Sequence, residues 1–413
     1  MTDLSTRALW LRLFLPFAAG YLLSYLYRTS NAVIGPVLAG ELALPDHALG
    51  LLTSTYFLAF GAAQVPLGML LDRFGPRRVE AGLLLIAACG AVLFALADGI
   101  AGLAWGRALI GLGVSACLMA AFKAFNESFA PDRQAALIGW IMSAGGLGAL
   151  FASQPLEAAI GVAGWRGVTV ALALATLLVA LAIWLAVPER PRPAQGQGWA
   201  EQVAGVRRVL TDRTFWRYAP MVTMAIGGFM AIQGLWVSRW LAEIEGLNRA
   251  QIARELTLLN GAMVAGCLFM GFAMTPLLQR GVSEAAVVHT VGIVFVLVFA
   301  AINLLAADGQ PWLWALLAFL YPLCNIAYAI VAKSLPLALS GRANTAMNLA
   351  AFSGAFGLQW GMGVLVDALQ SVGWTAAAAY RATFLLVLGL LAAAVLWMLA
   401  AGRVRRKFEG ESG

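Results

Sequence analysis

Gly68-Met69-Leu70-Leu71-Asp72-Arg73-Phe74-Gly75-Pro76-Arg77-Arg78 is the stretch whose reading decides the fold. It sets one carboxylate and three guanidiniums between two uncharged apolar runs, about twenty residues from Leu49 and all of Ala81 to Ala97. Charge that dense between membrane-length segments marks a short loop at a bilayer surface. Glycine lets two helices and a turn approach closely. The carboxylate and the guanidiniums can pair with helix ends and with each other.

Composition extends this to the whole chain. Of 413 residues, 62% are hydrophobic and only 11% charged, against roughly 25% charged in a soluble domain. So much apolar side chain cannot be hidden in water, which makes this an integral membrane protein. A bilayer-spanning helix takes about 20 residues. The sequence predicts twelve spans, at 11–38, 48–71, 79–98, 100–127, 134–158, 166–188, 218–241, 251–277, 285–306, 311–338, 343–369 and 378–401. All are expected to be helices, because lipid does not satisfy an unpaired backbone. Arg107 and Lys123 interrupt the fourth. The long polar stretch opens Pro-Glu-Arg-Pro-Arg-Pro at Pro188, a composition suited to an exposed linker. The expected organisation is a six-helix bundle over 1–188, a linker over 189–217, a second six-helix bundle over 218–401 and a tail over 402–413.

The net charge of +7 sits mainly in alternate loops. Arg73, Arg77 and Arg78 share one loop, Arg190, Arg192, Arg207, Arg208, Arg213 and Arg217 the linker, and Arg403, Arg405, Arg406 and Lys407 the tail. That alternation follows the positive-inside rule and predicts both termini in the cytoplasm. It calls for a lipid bilayer as partner and not for nucleic acid. Cys89, Cys117, Cys267 and Cys324 fall inside spans without a CxxC pair, so no metal site or disulfide framework is expected. The first apolar run, from about Leu13, is long enough to be a span, and no cleavable signal peptide stands out. There is no phosphate-binding Gly-rich loop with Lys-Ser/Thr, no Ser/His/Asp arrangement and no His/Cys cluster, so neither a cofactor nor enzymatic activity is expected.

The halves look related. At a shift of 209 positions Arg133 meets Arg342, Gly145 meets Gly354, Gly148 meets Gly357, Leu156 meets Leu365, Gly164 meets Gly373 and Trp165 meets Trp374. Two bundles related by an axis along the membrane normal would hold a substrate site between them near the midplane.

With twelve spans, a central linker and the charged turn after span 2, the chain resembles the major facilitator superfamily of transporters. Gly68, Leu70, Asp72, Arg73, Gly75, Arg77 and Arg78 fit that family's Gly-x-Leu-x-Asp-Arg-x-Gly-x-Arg-Arg/Lys signature in place. Arg107-Ala-Leu-Ile-Gly111-Leu-Gly113 and the Gly-Trp-Arg at 164–166 are also typical. The resemblance implies an all-α fold of two pseudo-symmetric six-helix bundles working by alternating access, monomeric, in a bacterial inner membrane. The Asp72 turn would act as a latch in the outward-open state, with Arg107 serving helix packing or proton coupling. The second half departs from the pattern: near Pro276 to Gly281 the acidic residue is missing, which implies asymmetric gating. Helix 5 lacks the Gly-Pro step of drug/proton antiporters, and Tyr25-x-x-Arg28 resembles organic-anion symporters of the family.

Arg28 is the sharpest site candidate. A charge inside a span costs at least about 2.5–3.5 kcal/mol on insertion scales, so it should face a wet cavity or a partner. Tyr21, Ser24, Tyr25 and Asn31 share its side of the helix. A guanidinium there can bind a carboxylate or phosphate, with tyrosine in support; the bland reading is an outward-snorkelling or structurally paired side chain. Lys123 is the second cation, weighed against simple reach to the headgroups. Gln233 and Trp236 on helix 7, Tyr321 and Asn325 on helix 10 and Asn348 on helix 11 complete the expected substrate-binding set, with interhelical glue as the alternative for each. The expected function is secondary transport of a small polar metabolite, anionic or zwitterionic, with protons as a candidate coupling ion. The rivals are an exporter of drug-like compounds, a dipeptide uniporter and a non-transporting receptor.

Overall fold

Every described element is helical, as backbone surrounded by lipid must be. The structure, a computed structural model, describes residues 9–129, 133–189, 199–305, 310–336 and 339–410, without the side chains of 134–136, 199–202, 275 and 402–410. Arg190 and Arg192 of the expected linker, the loop at 307–309 and the side chains of Arg403, Arg405, Arg406 and Lys407 lie outside the described residues.

Among the described residues the helices divide into twelve segments, consistent with twelve spans. α1 (10–42) joins Leu15–Thr29 to Asn31–Leu42 through a break at Ser30. α2 (46–74) and α3 (76–96) are one run, Asp46–Leu96, whose backbone leaves helical geometry only at Gly75. α4 is Ile100–Ser128. α5 (134–163) and α6 (165–186) meet at Gly164. A linker helix, Trp199–Leu210, leads to α7 (Arg213–Glu243), α8 (Arg249–Gln279), α9 (Glu284–Leu304), α10 (Pro311–Lys333), α11 (Ser340–Ser371) and α12 (Ala376–Gly410). The spans therefore number as expected, but the charged stretch is not an open loop. The helices run through its charges, which stand beyond the apolar runs, and fold back at one residue.

Positive backbone φ marks how the halves repeat. Among the described residues it occurs at Ala43, Gly75, Gly164, Gly246, Gly281 and Gly373. Ala43 and Gly246 follow the first span of each half, Gly75 and Gly281 the second, and Gly164 and Gly373 the fifth. The two Gly-Trp steps matched by sequence are thus the same turn. Close packing repeats too: a Cβ at Gly148 would lie 2.1 Å from the Leu22 carbonyl, and one at Gly354 2.3 Å from that of Thr223. α5 presses on α1 as α11 presses on α7.

Gly75, at φ 82° and ψ 166°, occupies a region essentially closed to other residues, where strain is of order 1–3 kcal/mol. Gly75→Ala is expected to lower the melting temperature of the purified protein, whereas Gly139→Ala, within α5 and facing open space, is not. Equal melting temperatures for the two variants would contradict this assignment of strain.

The spans alternate, so the molecule has a turn end, carrying Gly75 and Gly281, and a far end, carrying Ala43, Gly164, Gly246 and Gly373. At the far end α2 and α11 touch through glycines. A Cβ at Gly50 would meet the Gln359 carbonyl at 2.6 Å, and one at Gly363 the Asp46 carbonyl at 2.4 Å.

Candidate functional site

Arg28 stands on α1 just before the break at Ser30, 7% exposed. Its guanidinium carbon lies 4.6 Å from the ring centre of Tyr25, 5.2 Å from Phe60 and 5.8 Å from Phe352. Tyr21, Tyr56 and Tyr321 are close enough to feel its charge, and so is Tyr328. Phe352, Tyr321 and Tyr328 come from the second half, so both bundles build the cage. Aromatic faces attract a cation but do not neutralise it. Among the described residues no carboxylate pairs with Arg28, and its Nε has no hydrogen-bond partner.

A second buried cation stands behind it. Arg107 on α4 is 2% exposed and donates through Nη1 to the Tyr27 carbonyl at 3.0 Å. Its guanidinium lies 5.1 Å from the Tyr56 ring, and its Nε and Nη2 lack partners. Tyr56 is therefore shared by two cations without a counter-ion, and the first bundle carries positive charge in its interior.

The remaining expected residues divide. Tyr25 and Tyr321 belong to the Arg28 cage; Tyr321 is held by stacking on Phe229, ring centres 4.4 Å apart. Asn348 is half-buried one turn from Phe352 on α11. Gln233 donates to Asn260 Oδ1 at 2.6 Å, and Asn260 donates to Ser153 Oγ at 2.8 Å and to the Ala149 carbonyl at 3.0 Å. That chain runs from α7 through α8 to α5 and bridges the halves; Asn260 was not singled out by sequence. Asn31 is fully buried and donates to Thr53, pinning α1 to α2. Trp236 is fully buried with its indole N–H on the Gln359 carbonyl at 3.1 Å. Asn325 donates to the Pro322 carbonyl at 3.0 Å and closes the tight turn inside α10.

Lys123 is not in the cage. It pairs with Asp72 at the turn end, so the ammonium read as a cavity cation is bound to the charged turn of its own half. Arg77 and Arg78 face Glu189, Arg73 lies 5.2 Å from the Phe74 ring and Gly68 is exposed. Among the described residues no ion pair of this turn reaches the second bundle. The second half does hold a counterpart, which the missing acid before Gly281 concealed. Glu284, just after that glycine, pairs with Lys333 at the end of α10 at 2.7 Å.

Ion pairs between the halves gather at the far end. Arg239 donates to Asp46 from Nη2 at 2.8 Å and from Nε at 3.1 Å, and Nε also reaches the Tyr380 hydroxyl at 2.9 Å. Asp367 accepts from the His47 backbone N–H at 2.8 Å and from the Asp46 N–H at 3.3 Å, and contacts His47 Nδ1 at 2.6 Å. Its carboxylate so caps the first turn of α2, where the helix dipole favours negative charge. Arg249 pairs with Glu157 at 3.1 Å. Towards the turn end, a cleft of about 480 Å³ opens between α5 and α8 and reaches Tyr25. Among the described residues the ion pairs between the halves thus stand at one end and a cleft opens towards the other, with Arg28 between.

A model described as the Major Facilitator Superfamily matches residues 17–358. The "Hexuronate transporter" of Escherichia coli K12 is 26% identical over 283 residues, covering 63% of this chain; the chain spans 64% of that relative's length. The "Probable sulfoacetate transporter SauU" of Cupriavidus necator is 25% identical over 341 residues, 78% of each chain. Among solved structures, a bacterial homologue of the human lysosomal transporter Spinster superposes with a TM-score of 0.75 at 18% identity, over 94% of this chain and 96% of that one. At that identity the likeness concerns the fold alone.

Proposed function

The chain belongs to the Major Facilitator Superfamily, and from that premise we propose that it is a secondary transporter of a small carboxylate-bearing metabolite, of the sugar-acid class, working by alternating access. The observation that carries this reading is the uncompensated Arg28 guanidinium, buried where the two bundles meet. A carboxylate can accept two parallel bonds from it and supplies the missing counter-charge. Amides and tyrosines around the cage offer partners for hydroxyls. The similarity to a hexuronate transporter points to the same class of anion.

In this reading the turn end is cytoplasmic, with both termini, and the membrane is a bacterial inner membrane. The far-end pairs hold the carrier open to the cytoplasm. Transport passes through a second state in which those pairs part and the Asp72 turn engages. The carrier acts as a monomer, with no cofactor. The buried Arg28, without a carboxylate beside it, weighs against the rival reading of a drug exporter with a neutral, aromatic-lined cavity.

The test is counterflow in proteoliposomes. Vesicles holding the protein and unlabelled galacturonate are expected to accumulate labelled galacturonate saturably, above vesicles without protein. Absence of exchange with galacturonate, glucuronate and galactonate would refute the sugar-acid assignment.

A further inference from the structure

Glu80 is a buried acid that neither the cage nor the far-end clamp uses. It lies on α3, one turn beyond Gly75, and is 0% exposed. No nitrogen or oxygen donor of the described residues reaches either carboxyl oxygen. Two helices enclose it. From α1 it faces Gly20, where a Cβ would lie 2.4 Å from Oε1, so the carboxyl fills the space that a side chain would take. From α4 it faces the Cys117 thiol, a weak hydrogen-bond donor at the carboxyl. Neighbouring charges are engaged elsewhere: Arg77 and Arg78 with Glu189, and Lys123 with Asp72. An ionised carboxylate left dry and without a cation partner is strongly disfavoured.

Glu80 also stands in line with Arg28. Gly20, Ser24 and Arg28 recur every fourth residue on α1, along one face of the helix. Ser24 donates to the Val114 carbonyl, at the break in α4 just before Cys117, and Tyr56 donates to the Ser24 carbonyl. Gly20 and Arg28 are eight residues apart, about 12 Å along a helix. At that separation and an effective dielectric of about 20, one elementary charge changes the affinity for an anion about tenfold.

We propose that Glu80 is the proton-binding site of this transporter, coupled through space to an anion at Arg28. The proposal rests on the anion-transport reading. A proton on Glu80 removes a negative charge from the anion's surroundings and favours binding. By reciprocity the bound anion favours the proton. Anion and proton then load together and leave together, which is symport. The proton enters as the free carboxylate takes it from water and departs by the reverse step, with no other reactant.

Two measurements decide it. The first needs no cargo: at neutral pH the infrared spectrum of the wild-type protein should hold the carbonyl-stretch band of a protonated carboxyl that Glu80→Gln lacks. Glu80→Ala serves the same purpose if the amide variant does not fold. No difference in that band overturns the proposal whatever the cargo. The second uses galacturonate. In wild type its binding should weaken about tenfold as pH rises and Glu80 ionises, and a proton gradient should drive its accumulation in vesicles. Glu80→Gln should bind with flat pH dependence and keep exchange but lose gradient-driven accumulation. Retained accumulation, or an unchanged pH dependence, overturns the coupling. Wild type that neither binds nor moves galacturonate refutes the sugar-acid assignment instead, and the infrared band still decides Glu80.

Discussion

Replacing Arg28 with alanine is expected to abolish sugar-acid exchange while leaving folded protein in the membrane. A guanidinium–carboxylate pair shut between two bundles is charge-assisted and bidentate. Truncating one member of such a buried pair costs about 2–5 kcal/mol, and each ~1.4 kcal/mol is a factor of ten, so affinity should fall at least about 30-fold. Stability should move the other way. The empty protein holds Arg28 buried without a carboxylate, and removing an uncompensated charge relieves desolvation. The melting temperature of Arg28→Ala should therefore hold or rise, which separates lost binding from misfolding. Arg28→Lys keeps the charge but not the planar fork and should fall between the two. Counterflow and thermal unfolding on the same preparations check this; undiminished exchange by Arg28→Ala would remove Arg28 from the site.

Opening the far-end clamp should have the other large effect. Asp46 is nearly buried, its side chain 6% exposed, and it receives two bonds from Arg239, 19% exposed. Breaking a buried pair by removing one partner costs about 3–5 kcal/mol. Here the Tyr380 hydroxyl and Glu243 still face Arg239, so about 2 kcal/mol is a fair lower figure. The pair spans the halves, so its loss falls on the clamped state. That favours the alternative state by a factor of at least about 30. Spin labels on the far-end loops, with the exposed Cys89 replaced, should report one short distance in wild type and a long-distance population in Asp46→Ala. Exchanging the charges, Asp46→Arg with Arg239→Asp, should restore the short distance. An unchanged distribution in Asp46→Ala would show that the clamp does not set the resting conformation.

The charged stretch was legible because its meaning is local: dense charge between apolar runs has few explanations, and its glycine supplies the backbone turn found at Gly75. Arg28 was legible because one cation in an apolar helix stands out. Lys123 stood out for the same reason and was placed in the cavity, because nothing in a linear pattern shows that Asp72 on another helix is its partner. Phe60 and Phe352 carry no signal among 21 phenylalanines; only the meeting of the halves makes them walls. Asp46, His47 and Asp367 look like surface charge at span ends, and their pairing joins helices of different halves, far apart in sequence. Glu80 was hidden by its neighbourhood. Two residues past Arg78 it reads as the rim of a loop, and its burial depends on the space Gly20 leaves on α1. Local chemistry could be read along the chain, while contacts between helices could not.

The most direct test of charge recognition at Arg28 is a thermal-stabilisation measurement with galacturonate and its uncharged counterpart, galactose. A ligand that binds only the folded protein raises its melting temperature, by an amount that grows with the logarithm of its concentration over Kd. Galacturonate should stabilise wild type, galactose should not, and the galacturonate effect should vanish in Arg28→Ala. Equal stabilisation by the neutral sugar, or the same shift with galacturonate in Arg28→Ala, would contradict an anion carrier anchored on Arg28.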